Sequence, residues 1–315
     1  MADLGVTIGS LKLGNPVLVA SGTFGYGDEC GDLVDVNRLG GVITKSLSAR
    51  PRDGNPPPRI AETPSGMLNS IGLANIGVER FIAEKLPLLK HFTTRIVANI
   101  AASSVEEYCS VLGRLEELED GVDAYEINVS CPNVREGGLS FGTDCRLTAE
   151  IVRRLRALTR RTLIVKLTPN VTHIGEFARA AAEAGADGVS VINTVIGMAV
   201  DIRTRKPKLS TVTGGLSGPA IKPIALAKVY EASQAARIPV IGIGGISTAE
   251  DAVEFLLAGA TAVQVGTASF IDPAASMRVV EGLNRYCEQY GVARVSQLTG
   301  AMDAPAGLSV LQSWL

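Results

Sequence analysis

Cys131 stands in the run Asn-Val-Ser-Cys-Pro-Asn, just past an apolar stretch that carries Asn128. A thiol at such a junction can act as nucleophile or general base, although a lone cysteine is most often a small buried hydrophobe. Lys45 closes the run Gly-Val-Ile-Thr-Lys-Ser, and Lys166 lies within Leu-Ile-Val-Lys-Leu-Thr-Pro. Asn99, Asn128 and the Asn193–Thr194 pair interrupt or end three further apolar runs. Lysine or asparagine inside an apolar strand costs free energy unless it meets a partner. An internal hydrogen-bonded layer would supply one for any single residue. Several converging on one mouth point instead to a ligand rich in polar edges. Two lysines with no acid in their motifs point to a ligand that carries or acquires negative charge, and they would favour a thiolate at Cys131. Glycine gives the last signal. Gly244–Gly245 and Gly266–Thr267 each end an apolar run and open a helical one. Such glycines can serve only to make tight turns. Two pairs on adjacent strand ends predict a phosphate site, because exposed N–H groups backed by a helix N-terminus hold anions.

The elements that must position these residues alternate along the chain. Val- and Ile-rich runs predict strands at 16–22, 41–46, 95–101, 124–130, 163–169, 188–194, 239–245 and 262–268. Amphipathic stretches predict helices at 104–119, 148–158, 174–184, 220–236, 248–257 and 273–290. Eight strands alternating with helices give the (β/α)8 TIM-barrel count. A doubly wound sheet is the rival, but its fingerprint glycines would follow the first strand, whereas here the glycine pairs follow the last two. Segments 47–76 and 195–219 are too long for ordinary βα loops, and a third, shorter insertion spans 131–144. All three leave the C-terminal ends of strands, the face where barrels build active sites. With no internal repeat and no low-complexity linker, residues 1–315 read as one domain.

Composition narrows the class. Hydrophobic residues make up 46% of the 315 and aromatics only 4%, which suits parallel strands covered by helices. A net charge of −2 gives no reason to expect nucleic acid. Cysteines 30, 109, 131, 145 and 287 are odd in number and widely spaced, so neither a disulfide framework nor a zinc or iron–sulfur site is expected, and four of them read as structural. Two histidines, His91 and His173, argue against metallohydrolase or Ser-His-Asp chemistry and read as solvent-exposed. No metal is expected. The N-terminus lacks the pattern of a signal peptide and no window is apolar enough to span a membrane, so the expected location is cytoplasmic.

Together these residues resemble the class 1 dihydroorotate dehydrogenases, specifically the class 1B catalytic subunit. The resemblance is carried by SGTFGYG (21–27), TKSLS (44–48), NSIGLAN (69–75), INVSCPNVREGG (127–138), IVKLTPN (164–170), INT (192–194), TGGLSGPAIKP (213–223), IGIGGI and VQVGTA. It departs slightly at Ala74, Ile76 and Cys145. It implies FMN as cofactor and oxidation of (S)-dihydroorotate to orotate in pyrimidine synthesis. Cys131 would remove the C5 proton while hydride leaves C6 for flavin N5. Lys45 would lie between flavin and substrate. Asn69, Asn128, Asn133, Asn193, Thr194 and the backbone of Ser70, Ile71, Gly72 and Leu73 would hold the pyrimidine and its carboxylate. Lys166 would stabilise negative charge on the reduced flavin. Ser21, Ser46, Asn99, Ile192 and Gly218, with Lys45 and Asn128, would line the flavin ring and ribityl. Gly244, Gly245, Gly266 and Thr267 would take its phosphate. Class 1B also implies a homodimer core joined, as a heterotetramer, by a second subunit that carries FAD and an iron–sulfur cluster and passes electrons to NAD.

Three other readings compete. A class 1A enzyme would be a fumarate-linked homodimer. A barrel resembling inosine-monophosphate dehydrogenase would use Cys131 as nucleophile and NAD directly, with no bound flavin. A barrel kept only as a binding or assembly module would leave the convergence of Cys131, two lysines and four asparagines without a cause.

Overall fold

The computed structural model describes residues 2–29, 33–118, 120–130, 135–136 and 139–304. Eight parallel strands close into a barrel in sequence order: β1 (Val17–Val19), β2 (Gly41–Ile43), β3 (Arg95–Ile100), β4 (Ala124–Asn128), β5 (Thr162–Leu167), β6 (Gly188–Val191), β7 (Val240–Ile243) and β8 (Ala262–Val265). Followed once around, the register returns to β4 displaced by eight residues, the stagger of a TIM barrel. All six residues of β5 and all four of β7 are buried, because helices cover one face and the barrel interior the other. That burial is why the strands read as continuous apolar runs rather than alternating ones.

The helices start where short polar side chains cap them. Ser104 accepts from the Glu107 N–H ahead of the helix Val105–Glu116. Asp144 accepts from Arg146 and Leu147 ahead of Cys145–Arg156, whose last turn is rich in arginine and so complements the helix dipole. Thr248 and Asp251 form a capping box ahead of Ala249–Leu257.

A hairpin of Val6–Ile8 and Leu11–Leu13 closes the N-terminal end of the barrel. Thr162 Oγ1, at the start of β5, accepts from the N–H groups of Ser10 and Leu11 at 3.0 and 3.1 Å and donates to the Ile8 carbonyl at 3.1 Å. Four apolar hairpin residues, Val6, Ile8, Leu11 and Leu13, are buried against the core by this tie.

The opposite end carries a roof. Two long insertions contribute strands to one antiparallel sheet, in the order Val195–Met198, Thr213–Ser217, Gly66–Asn69, Ile60–Thr63. Gly215 pairs with Asn69 and Ser217 with Met67, so segments far apart in sequence share one hydrogen-bond ladder.

The predicted strands are all present, but each ends earlier than expected. Tip residues such as Lys45, Ser46 and Asn193 lie past the strand ends and line a cleft. Helix starts also move, most of all to Cys145 rather than residue 148, set by the Asp144 cap; others lie at Lys222 rather than 220, because Pro219–Ile221 forms a 3-10 turn, and at Ala275 rather than 273. A helical segment runs over 78–89, ahead of His91. It holds Pro87, which sits in the first turn of Leu86–Leu89 where its missing N–H does no harm.

Candidate active site

Between the strand tips and the roof lies a cleft of about 730 Å³. Ser21, Lys45, Ser46, Asn69 through Leu73, Asn128, Lys166, Ile192, Asn193, Thr194, Gly218, Gly244, Gly245, Gly266 and Thr267 all line it. Asn99 is fully buried beneath the cleft and does not. Cys131 and Asn133 lie outside the described residues. Ser130, the neighbour of Cys131 in sequence, lines the cleft, and its hydroxyl donates to the Lys166 carbonyl at 3.1 Å.

The carboxamides are arranged with free valences inward. Asn128 Oδ1 accepts from Asn193 Nδ2 at 3.1 Å and from the Ser130 N–H at 3.2 Å. Asn193 Oδ1 accepts from the Thr194 N–H at 2.8 Å. These bonds fix both amides and leave Asn128 Nδ2 without a partner among the described residues, ready to donate. On the roof, Asn69 Nδ2 donates to the Gly215 carbonyl at 3.3 Å. Asn55 ties down the neighbouring loop, donating to the carbonyls of Ser70 (Nδ2, 2.9 Å) and Ile71 (N–H, 3.0 Å). The Ser70 hydroxyl is buried with no hydrogen-bond partner among the described residues. A buried unsatisfied hydroxyl in a cleft wall is a position at which a polar ligand completes the structure.

The glycine tips form a cradle. Gly218 and Gly245 hold φ of 95° and 76°, the region open to glycine. A Cβ on Gly245 would lie 2.9 Å from the Gly218 carbonyl oxygen and 3.0 Å from the Lys222 nitrogen. The backbones therefore approach as closely as they do only because no side chain intervenes. Thr267 Oγ1 donates to Ser217 Oγ at 2.8 Å across the same corner. Lys222 Nζ is bound to Asp251 and Glu254 at 2.7 and 2.9 Å, so the cradle presents backbone N–H and hydroxyl groups rather than that ammonium. This donor set fits a phosphate.

Two cations face the cleft in different circumstances. Lys45 makes no ion pair with any described residue. Desolvation, reinforced by the charges of Arg59 and Lys166, holds its pKa below the ordinary lysine value. Lys166 is buried, and its Nζ lies 3.7 Å from Glu126 Oε1. The lysine motifs hold no acid of their own; that of Lys166 comes from the adjacent strand β4, where Asn128 is the lateral neighbour of Lys166.

Glu126 organises the layer below. Its Oε1 accepts from Asn99 Nδ2 at 2.6 Å, and its Oε2 from Ser190 Oγ and Gln264 Nε2, both at 2.7 Å. Glu126, Ser190 and Gln264 come from β4, β6 and β8. Strands that are not neighbours can meet only through the interior, in the alternate-strand layering of a TIM barrel. Asn99 belongs to this layer because its amide is claimed by Glu126. Sequence reasoning missed Glu126, Ser190 and Gln264. A glutamate two residues before Asn128 shares its strand face and was the available signal.

The remaining singled-out side chains stay outside the cleft. Burial pushes the thiols of Cys109, Cys145 and Cys287 up, which makes them poor nucleophiles. Cys30 lies outside the described residues. His91 is exposed as expected, while His173 is half-buried at the N-cap of Ile174–Glu183.

The Lys45 environment yields a prediction. A lysine with a depressed folded-state pKa destabilises the fold below that value, and the cost fades as pH rises to the ordinary lysine value of about 10.4. Lys45→Met should therefore raise the thermal unfolding midpoint of the ligand-free chain by a few degrees at neutral pH, an advantage lost at strongly alkaline pH. The same change should weaken binding of an anionic ligand. A scan with no gain at neutral pH would show that Lys45 is not electrostatically strained.

A family model described as dihydroorotate dehydrogenase matches residues 3–287. A relative from Pelobacter propionicus, 54% identical over 301 residues covering 96% of this chain and 99% of its own, is named dihydroorotate dehydrogenase B (NAD(+)), catalytic subunit. Relatives from Geotalea uraniireducens (53% over 300 residues, 95% of this chain and 98% of theirs) and Bacteroides thetaiotaomicron (52% over 303 residues, 96% and 100%) carry the same name.

Proposed function

The chain belongs to the dihydroorotate dehydrogenase family, and on that premise we propose that it oxidises (S)-dihydroorotate to orotate in pyrimidine synthesis, with FMN as its cofactor. The observation that carries the reading is the union, in one cleft, of a backbone phosphate cradle with two lysines and fixed carboxamides. The flavin fits the described residues: a cradle that a Cβ would fill at one end, and buried polar groups awaiting partners at the other.

The residues divide the work as follows. The Asn128 amide nitrogen, Asn69, Asn193, Thr194 and the Ser70 hydroxyl meet the alternating donors and acceptors of the pyrimidine edge, a pattern that carboxamides match on both counts. Asn133 joins them in this proposal. Lys45, short of an anionic partner, attracts the substrate carboxylate. The roof sheet excludes water and so strengthens these contacts. Cys131 takes the proton from C5 of the substrate. A free thiol has a pKa of about 8.5, and the two cations lining the cleft lower the cost of the thiolate. When bound, FMN supplies the acceptor for the hydride that leaves C6. Lys166, Ser21, Ser46, Ile192 and Gly218 hold its ring and ribityl, and Gly244, Gly245, Gly266 and Thr267 its phosphate. The C5 proton and the C6 hydride together account for the C5=C6 double bond of orotate.

The word subunit in the relatives' names implies a partner. We assign to it the FAD and iron–sulfur cluster that carry electrons on to NAD, around a homodimer of this chain. Among the described residues, no three His, Cys, Asp or Glu side chains stand together as a metal site. No described helix is long and apolar enough to cross a membrane.

Anaerobic titration of the purified chain with dihydroorotate tests the reading. The visible flavin band should bleach in proportion to added substrate, and NAD should restore it only when an electron-transfer subunit is supplied. A chain that carries no flavin, or a flavin that dihydroorotate leaves oxidised, overturns the proposed activity. Full fumarate-linked turnover by the chain alone would overturn only the assignment of the partner.

A further inference from the structure

Glu126 has no role in the chemistry above, yet it is the fully buried carboxylate beneath the cleft. Both of its oxygens accept from carboxamide nitrogens, Asn99 on one and Gln264 on the other. A carboxylate accepts at both oxygens, whereas a protonated acid must donate from one. The pattern is that of an anion. The Asn99 and Gln264 carbonyl oxygens, turned away from Glu126, are buried without partners among the described residues. The carboxylate is what turns their nitrogens inward. Ser190 Oγ also donates to one of its oxygens, and Lys166, which lines the cleft, has its Nζ 3.7 Å away.

We propose that Glu126 is a positioning residue that sets the net charge beneath the flavin: it offsets the Lys166 ammonium and so limits how strongly the site favours the reduced, anionic cofactor. The proposal rests on the flavin reading above. A paired lysine presents a weaker field to the cleft than a bare one, and in a dry interior the difference is large.

The network itself supplies a clean test. In Glu126→Gln the new amide keeps the shape of the carboxylate. Its oxygen can still accept from Asn99. Its nitrogen can donate to Ser190 Oγ, and to Gln264 once that side chain flips to present its unpartnered Oε1. Each contact at position 126 keeps a donor–acceptor pair and one charge is lost, while the Ser190 O–H and the flipped Gln264 amide give up the oxygen they donated to. The variant should fold and retain flavin, and should hold reduced flavin relative to oxidised on the order of tenfold more tightly than wild type, read as an upward shift of the midpoint potential in a spectroelectrochemical titration. Ser190→Ala removes one hydrogen bond and leaves the charge. Glu126→Asp keeps the charge. Both should show potentials near wild type.

Three results would overturn the proposal: Glu126→Gln with the wild-type potential, an equal shift in Ser190→Ala, or a Glu126→Gln chain that cannot fold while Glu126→Asp can. If wild type itself binds no flavin, the proposed activity fails first, and the two failures are told apart by that preparation alone.

Discussion

Cys131→Ser should keep its flavin and lose its reduction by dihydroorotate. In stopped-flow mixing near neutral pH the reductive rate should fall by about a hundred- to ten-thousand-fold, the usual contribution of a positioned base. A serine hydroxyl ionises far less readily than a thiol, so the proton at C5 has no ready acceptor while the hydride acceptor remains in place. The wild-type rate should climb with pH and level off as the thiol ionises, near the ordinary value of about 8.5 or below it. The serine variant should show no such plateau. A variant reduced at the wild-type rate at pH 7 would remove Cys131 from the mechanism. Measuring flavin content alongside the rate separates loss of chemistry from loss of cofactor.

Gly245→Val should abolish flavin retention with the barrel intact. The residue sits at φ 76°, where a β-branched side chain costs about 1–2 kcal/mol or more. Its Cβ would press on the Gly218 carbonyl at 2.9 Å, and Gly218 forms the other side of the cradle. A shift of either backbone pulls N–H groups away from the phosphate. Losing two such charge-assisted contacts, at about 1.5–3 kcal/mol each, weakens flavin binding by about two orders of magnitude or more. The readout is flavin per chain after gel filtration, with circular dichroism to show the fold. Gly291→Ala is the control. Gly291 has φ of 67° and nothing within 4 Å of an added Cβ, so it imposes similar backbone strain with no collision. It should purify with a full complement of flavin. Equal flavin loss in both variants would mean that general destabilisation, not the cradle, explains the effect.

Much of this was legible in the chain itself, for physical reasons that differ by residue. Strands buried on both faces must be apolar throughout, so Leu163–Val165 or Val263 and Val265 announce themselves. A lysine or asparagine breaking such a run announces itself too, and the cleft gathered Lys45, Lys166, Asn128 and Asn193 as their spacing predicted. Glycine pairs at β7 and β8 were readable because adjacent tips must be close. What stayed hidden depends on partners remote in sequence. Asn99 carries in its own motif no sign of the acid that holds it. Only the fold shows that Glu126 claims its amide. Ser190 and Gln264 are modest polar residues whose meaning arises across the barrel. The roof was hidden for the same reason, since neither insertion alternates strongly enough to read as a strand alone. Lengths of loop can be counted in a sequence, but the ladder between Gly66–Asn69 and Thr213–Ser217 cannot.

That ladder bears on how such a protein can diversify. A wall woven from two inserts separated by half of the barrel strands cannot be exchanged with a homologue piecemeal, since half of a transplanted weave would meet a foreign edge. Grafting one segment should yield a barrel that stands but closes poorly over its substrate, and grafting both together should move selectivity as a unit. Selection on the two stretches is thereby yoked, whatever distance the gene puts between them.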